Sequence, residues 1–389
     1  MTAAEQVPGA ASAAEEERRT SYLELFFDLV FVFAITQVTG LLLNNLHPAG
    51  FARAALVLAL VWWAWSGFTW MTNAINIESQ VTKLLFLAGM AGAFFVALAV
   101  PHAYGDEGAW FACAYAFIRV LNLALYAWGL KDRPAQLAAL LRLAPFFLVA
   151  PALVLAGGFV DSLPLRSALW VASIVVDVAG VLAAGSENDW RISPAHFAER
   201  YALIVIIALG ESIVAVGIAA ADLPRDFMFA LSVTIAFGGV AALWWAYFGF
   251  VSGAVERALQ RAPESRRGPL ARDVFTIFHY PIVLGIVYFA VAAKKVIAHP
   301  EDPLARPGRA ALGLGVALFL TGFLLARWRI VHTVGWWRAG AAVAVLVVVV
   351  ALQSIPAVAL LATVSAIVAG AVVIERLRYL KTPSPLLQS

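Results

Sequence analysis

The chain has 389 residues, of which 62% are hydrophobic and only 13% charged, and its mean hydropathy is +0.86. A soluble globule carries about 45–50% apolar and about 25% charged residues, so that class is excluded. The formal net charge of +3 does not point to nucleic acid, because the basic residues lie between apolar runs and report topology instead. The single cysteine, Cys113, excludes an intrachain disulfide and reads as a small buried hydrophobe within a span. No Cys/His cluster has metal-ligand spacing, so neither a metal nor a cofactor is expected.

Residues 1–20 are polar and Ala-rich, with no apolar signal core, and read as a disordered cytosolic tail. Twelve apolar runs near the span length then follow, over 25–46, 51–72, 82–101, 109–131, 136–157, 164–185, 198–220, 227–250, 273–297, 308–328, 334–354 and 356–378. The longest loop, 251–272, is basic and polar. The last two runs meet at Gln353-Ser-Ile-Pro356, where one broken helix is the other reading. With twelve spans, nineteen Lys and Arg residues share the side of the N-terminal tail and seven lie opposite. That bias places both termini in the cytosol.

The first run opens with Glu24-Leu-Phe-Phe-Asp28, which puts two carboxylates on one helix face at an apolar boundary. Intramembrane ionisable residues are functional candidates by default. Gln37 lies further along the same run. Span 7 begins His196-Phe-Ala-Glu199-Arg200, three groups at three- and four-residue spacing that read as a cytosolic ion-pair gate with Glu24. Glu211 lies about 20 Å into that span by helix rise, beyond the reach of snorkelling. Asp177 in span 6 and Arg119 in span 4 lie at similar depth, so Arg119 is expected to meet Asp177 or Glu211. His279, followed by Tyr280 and Pro281, stands beside a helix kink and reads as a relay or a structural group.

Trp62-Trp-Ala-Trp-Ser-Gly-Phe68 matches Trp244-Trp-Ala-Tyr-Phe-Gly-Phe250 at five of seven positions, six spans apart. An even offset predicts two parallel six-helix repeats, residues 21–185 and 186–380, before a cytosolic tail at 381–389. Trp62, Trp63, Trp244 and Trp245 read as helix packing or as an aromatic wall around an apolar or cationic substrate. There is no Walker A motif, dinucleotide fingerprint, nucleophile elbow or zinc-protease motif.

Three stretches together resemble the bacterial low temperature requirement protein A (LtrA) family. They are Glu24-Leu-Phe-Phe-Asp-Leu-Val-Phe-Val-Phe-Ala-Ile-Thr-Gln37, Trp62-Trp-Ala-Trp-Ser-Gly-Phe-Thr-Trp70 with Asn73, and His196 through Ser212. Glu24, Asp28, His196, Glu199, Arg200, Gly210 and Glu211 match the family motifs. The family is named for a cold-growth phenotype, which implies no molecular activity. A second resemblance is to the six-plus-six-helix lysosomal-type potassium channels, through Phe26-Phe27-Asp28. This chain has Phe27 where their pattern has Ser.

The expectation is therefore an all-α integral protein of the bacterial inner membrane, of about twelve helices. Its expected function is secondary transport or ion permeation, with the ion at Asp28 and Glu211 and support from Arg119 and Asp177. A potassium-type cation channel and an intramembrane enzyme on a lipid-linked substrate are the alternatives, so enzyme activity stays open. The expected partners are the bilayer and a small ion or molecule, not nucleic acid, and a homo-oligomer stays open.

Overall fold

A computed structural model describes residues 20–75, 77, 79–183, 192–221 and 223–381. The tail at 1–19, with Arg18 and Arg19, the junction at 184–191, with Arg191, and residues 382–389 lie outside the described residues, as do the side chains of 379–381. The described residues are 86% helical. The described residues form no strand, and one isolated bridge pairs Pro303 with Pro356.

The helices are α1 (Tyr22–Leu43), α2 (Pro48–Ala74), α3 (Gln80–Ala99), α4 (Gly108–Gly129), α5 (Pro134–Gly158), α6 (Leu163–Ala183) and α7 (Pro194–Ala220). They are followed by α8 (Phe227–Ala246), α9 (Ser252–Arg261), α10 (Glu264–Ala271), α11 (His279–Ala298), α12 (Arg306–Val331), α13 (Trp336–Ala351) and α14 (Ala357–Lys381). Local signals set their ends. Ser21 and Glu24 form a capping box at the start of α1. The Asp226 carboxylate accepts from the Phe229 N–H at 2.7 Å and starts α8. His332, at φ 53°, takes the left-handed conformation that ends α12.

Among the described residues, eleven helical stretches are long and apolar enough to cross a membrane. The twelfth expected span, α13, has only 16 residues, about 24 Å at the helical rise against a hydrocarbon core of about 30 Å. α13 and α14 are two helices packed on each other rather than one broken helix. The expected loop at 251–272 is a correction. A π-helical turn at Tyr247–Val251 continues α8 into α9, and another at Arg272–Ile277 joins α10 to α11, so only Ala262 and Pro263 interrupt helix there. The two Trp-Trp stretches differ locally: the first is regular α-helix, while the second runs into the π turn.

Large apolar side chains such as Leu84, Phe95, Trp110, Val175 and Val347 face outward, as an apolar bilayer permits and water does not. Cys113 is exposed on that surface rather than buried. In lipid an outward position is as apolar as the core, so composition alone does not separate the two. Inside, α3, α4, α5 and α6 pack in series, as do α11, α12, α13 and α14. α1 lies on α2 and α3, and it also contacts α7 and α11. Among the described spans, Glu264–Ala298, which contains α11, is the most enclosed. It approaches α12 through Gly285 and Gly315, where an added Cβ on Gly285 would lie 2.5 Å from the Gly315 carbonyl oxygen.

Candidate functional site

The sequence places Glu24 and Asp28 one turn apart on α1, and His196 and Arg200 one turn apart on α7. Where these helices pack, the four side chains meet, each at most 1% exposed. His196 Nε2 faces Glu24 Oε1 at 3.1 Å. Arg200 Nη2 donates to Asp28 Oδ1 at 2.7 Å, and its Nη1 lies 3.6 Å from Glu24 Oε1. The Trp65 indole N–H also donates to Asp28 Oδ1, at 2.8 Å. The Arg200 guanidinium lies over the Trp65 ring, 5.9 Å from its centroid.

The hydrogen bonds around His196 fit one tautomer. Asn73 Oδ1 accepts from the Ser193 N–H at 3.1 Å, and Asn73 Nδ2 donates to the Ser193 carbonyl at 3.3 Å. That orientation aims the same Nδ2 at His196 Nδ1, 3.1 Å away. With Asn73 so oriented, Nδ1 accepts and Nε2 donates to Glu24, the tautomer of a neutral imidazole. Two carboxylates therefore face one permanent cation, all of them shielded from solvent. Asp28 Oδ2 and Arg200 Nε have no hydrogen-bond partner among the described residues. A buried charge without full compensation is costly.

Glu199 lies outside this cluster. It is exposed and accepts from the Thr20 N–H and hydroxyl at 3.0 and 2.7 Å. At 100° per residue, position 200 lies about 40° from position 196 on one side and position 199 about 60° on the other, so α1 covers the first pair only.

Glu211 is 5% exposed and accepts from the Thr36 hydroxyl at 2.5 Å, and Lys294 of α11 acts on it electrostatically. Asp28 and Thr36 are eight residues apart on α1, about 12 Å by helix rise. The α1–α7 interface thus carries two carboxylate levels, separated by Phe31, Ile35, Ile204 and Ala208, all buried. Gln37 stands beside Thr36 and is half-buried.

Arg119 meets Asp177, not Glu211. The pair is bidentate, with both N···O distances 2.7 Å, and Arg119 also donates to the Tyr115 hydroxyl at 2.7 Å. A fork of this kind satisfies both groups. His279 is satisfied too. Its Nδ1 faces the Val274 carbonyl at 2.8 Å and its Nε2 the Tyr247 hydroxyl at 2.9 Å.

The four tryptophans form no common wall. Trp62 packs on Trp65, Tyr201 and Tyr280 and donates to the Thr276 carbonyl at 2.8 Å. Trp63 lines a cavity. Trp244 is 49% exposed and stacks on Phe248 of its own segment, and Trp245 is half-buried.

That cavity, of about 120 Å³, lies between α2, α4, α5, α6 and the π turn before α11. Trp63, Trp70, Arg119, Asn122, Phe147 and Arg272 are among its walls, with Ser66 and Thr276. The Tyr201 hydroxyl bonds both Ser66 Oγ and Thr276 Oγ1 at 2.9 Å, and its ring meets Trp65 edge-on at 4.9 Å. Tyr201 therefore links the cavity to the residue that holds Asp28. Sequence reasoning missed Trp65, Ser66, Tyr201 and Thr276 as members of the site. Trp65 lay in the quoted tryptophan motif, and Tyr201 followed Arg200 directly.

The model of the bacterial low temperature requirement A protein family matches residues 19–374. An uncharacterized protein of Rhizobium meliloti is 32% identical over 302 residues, covering 73% of this chain and 71% of that protein. No solved structure matches the chain. With the family motifs of α1, α2 and α7 converging on one buried cluster, and the match running through nearly the whole chain, this membrane protein belongs to the bacterial low temperature requirement A (LtrA) family.

Proposed function

We propose that this protein is a secondary transporter that carries a proton at the α1–α7 interface. One observation carries the reading: Glu24 and Asp28, beside His196, face the guanidinium of Arg200 at 0–1% exposure, and we take His196 as neutral. One bound proton balances this cluster, and its release leaves a net negative charge out of water, which disfavours the same packing. Loading and release of that proton thus bias the two helices toward different arrangements. Asp28 Oδ2, unpartnered and buried, is the acceptor we assign. Glu211 with Thr36 forms the second station, and Glu24, His196 and Arg200 close the first from the end of the bundle where α1 begins.

The packing order supports a two-repeat plan for this machine. α1 rests on α2 and α3 as α7 rests on α8 and α11, and the series α3–α6 corresponds to α11–α14. α2 packs on α6 as α8 packs on α14. In this reading the halves are parallel, α1 and α7 meet at their pseudo-twofold axis, and the Lys/Arg bias puts both termini in the cytosol. The competing reading, a cation channel lined by the first helix of each half, is less favoured, because Asp28 is held by Arg200 and Trp65 rather than facing a lumen.

The test is flux in proteoliposomes under imposed H⁺, K⁺ and Na⁺ gradients, comparing the wild-type chain with an Asp28→Asn, Glu211→Gln double variant. Transport expects saturable flux that depends on the proton gradient and is lost in the folded variant. Fast flux of K⁺ indifferent to pH would favour the channel, and unchanged flux in the variant would defeat the carboxylate mechanism.

A further inference from the structure

The cavity beside the buried cluster has a chemistry of its own. Its walls are mostly apolar and aromatic, through Trp63, Trp70 and Phe147. Its one deep cation, Arg119, is neutralised by the bidentate Asp177. At the other end stands Arg272, on the π turn that follows Gly268 and Pro269 of α10. Arg272 and Arg329 share one carboxylate, Asp273, each at 2.7 Å. Among the described residues, two cations against one anion leave an excess of one positive charge there. Arg272 uses Nε and Nη2 on Asp273 and Nη1 on the Val181 carbonyl. Of its five N–H donors about two remain for a ligand.

Size narrows the ligand further. The space that can hold a ligand is about 120 Å³ and opens at one side, and an engineered apolar cavity of about 150 Å³ accepts one benzene. A phospholipid or a long alkyl chain could place only part of itself there. A cationic ligand would meet the surplus positive charge, and a dianion would find no second unpaired cation among the described lining residues.

We infer that this cavity binds a small monocarboxylate whose body is a single aromatic ring, with the ring between Trp63, Trp70 and Phe147 and the carboxylate on Arg272. Ring stacking and edge contacts with the indoles hold the body, and charge-assisted hydrogen bonds hold the head. Ser66 and Thr276 form the floor, and both are bonded to Tyr201, the neighbour of Arg200. Occupancy of the cavity is thereby transmitted to the helix that pairs with Asp28. Taking this ligand as the cargo rests on the transport reading above, whereas its binding does not.

The experiment is calorimetric titration of the purified full chain in detergent with benzoate, benzylamine and acetate. Benzoate is expected to bind saturably, with benzylamine and acetate at least about tenfold weaker, the loss expected when one charge-assisted contact or the apolar body is removed. Arg272→Gln should weaken benzoate by about tenfold. Gly268→Trp, at a position with nothing within 4 Å of its Cβ, should block the mouth without disturbing the core. The inference falls if benzoate does not saturate, if benzylamine binds equally, or if both variants bind benzoate as the wild type does. Asp28→Asn separates the two proposals. Benzoate binding retained in that variant while proton flux is lost supports both. Benzoate binding without any wild-type proton flux keeps this site and removes the transport reading. Flux without benzoate binding does the reverse.

Discussion

Arg200 reaches across the α1–α7 interface to place Nη2 2.7 Å from Asp28 Oδ1, joining residues 172 positions apart in the chain. Glu24 lies 3.6 Å from the other terminal nitrogen of the same guanidinium, so one cation serves two carboxylates. Glu24→Gln makes the count one against one. That variant is expected to fold and to lose the pH dependence of transport, because no proton is then needed for balance. A pH series of flux from proteoliposomes checks it, and an unchanged profile would remove Glu24 from the proton site.

Arg119 and Asp177 are read as a structural pair. Asp177→Asn leaves Arg119 buried with a weakened partner, and breaking a buried pair costs about 3–5 kcal/mol. A marked drop in thermal stability in detergent is expected. The double replacement Arg119→Met, Asp177→Leu should recover most of it, since apolar groups of similar volume tolerate such sites. Stability recovered with flux still absent would instead give the pair a role in transport.

Gly285 and Gly315 let α11 and α12 touch backbone to backbone. Gly285→Val forces these helices apart, and overpacking of this kind costs about 1–3 kcal/mol. The expected result is lower thermal stability with the α1–α7 cluster intact. Equal melting of the variant and wild type would mean that α11 and α12 do not pack as described.

Thr36→Val removes the hydroxyl that donates to Glu211 while keeping the side-chain shape. If Glu211 is the second station, this variant keeps proton binding at Asp28 but slows turnover. Flux assays at saturating gradient should show a lower maximal rate, and an unchanged rate would confine Glu211 to packing.

Much of this was legible in the residues themselves. The apolar runs located the helices because a bilayer demands about 20 such residues per crossing. Four-residue spacing put Glu24 with Asp28, and His196 with Arg200, on shared faces before any packing was known. What spacing does not contain is which helix lies opposite. Arg119 had two carboxylates at suitable depth, and only the packing of α4, α5 and α6 assigns it to Asp177. Glu199 shows the limit from the other side: it sits close to the His196 face, yet the partner helix covers only the neighbouring arc. The roles of Trp65, Tyr201 and Thr276 were hidden because aromatic and hydroxyl side chains in apolar helices look alike whether they pack or connect. Trp244 repeats the Trp62 motif but faces outward, since the same apolar residue suits both lipid and core.

The most direct measurement is proton flux into proteoliposomes holding the wild-type chain or Asp28→Asn, read with a pH-sensitive dye under an imposed pH gradient. The proton site described here requires flux in the wild type and its loss in a variant that still folds. Equal flux from the two proteins would show that the proton does not travel by Asp28.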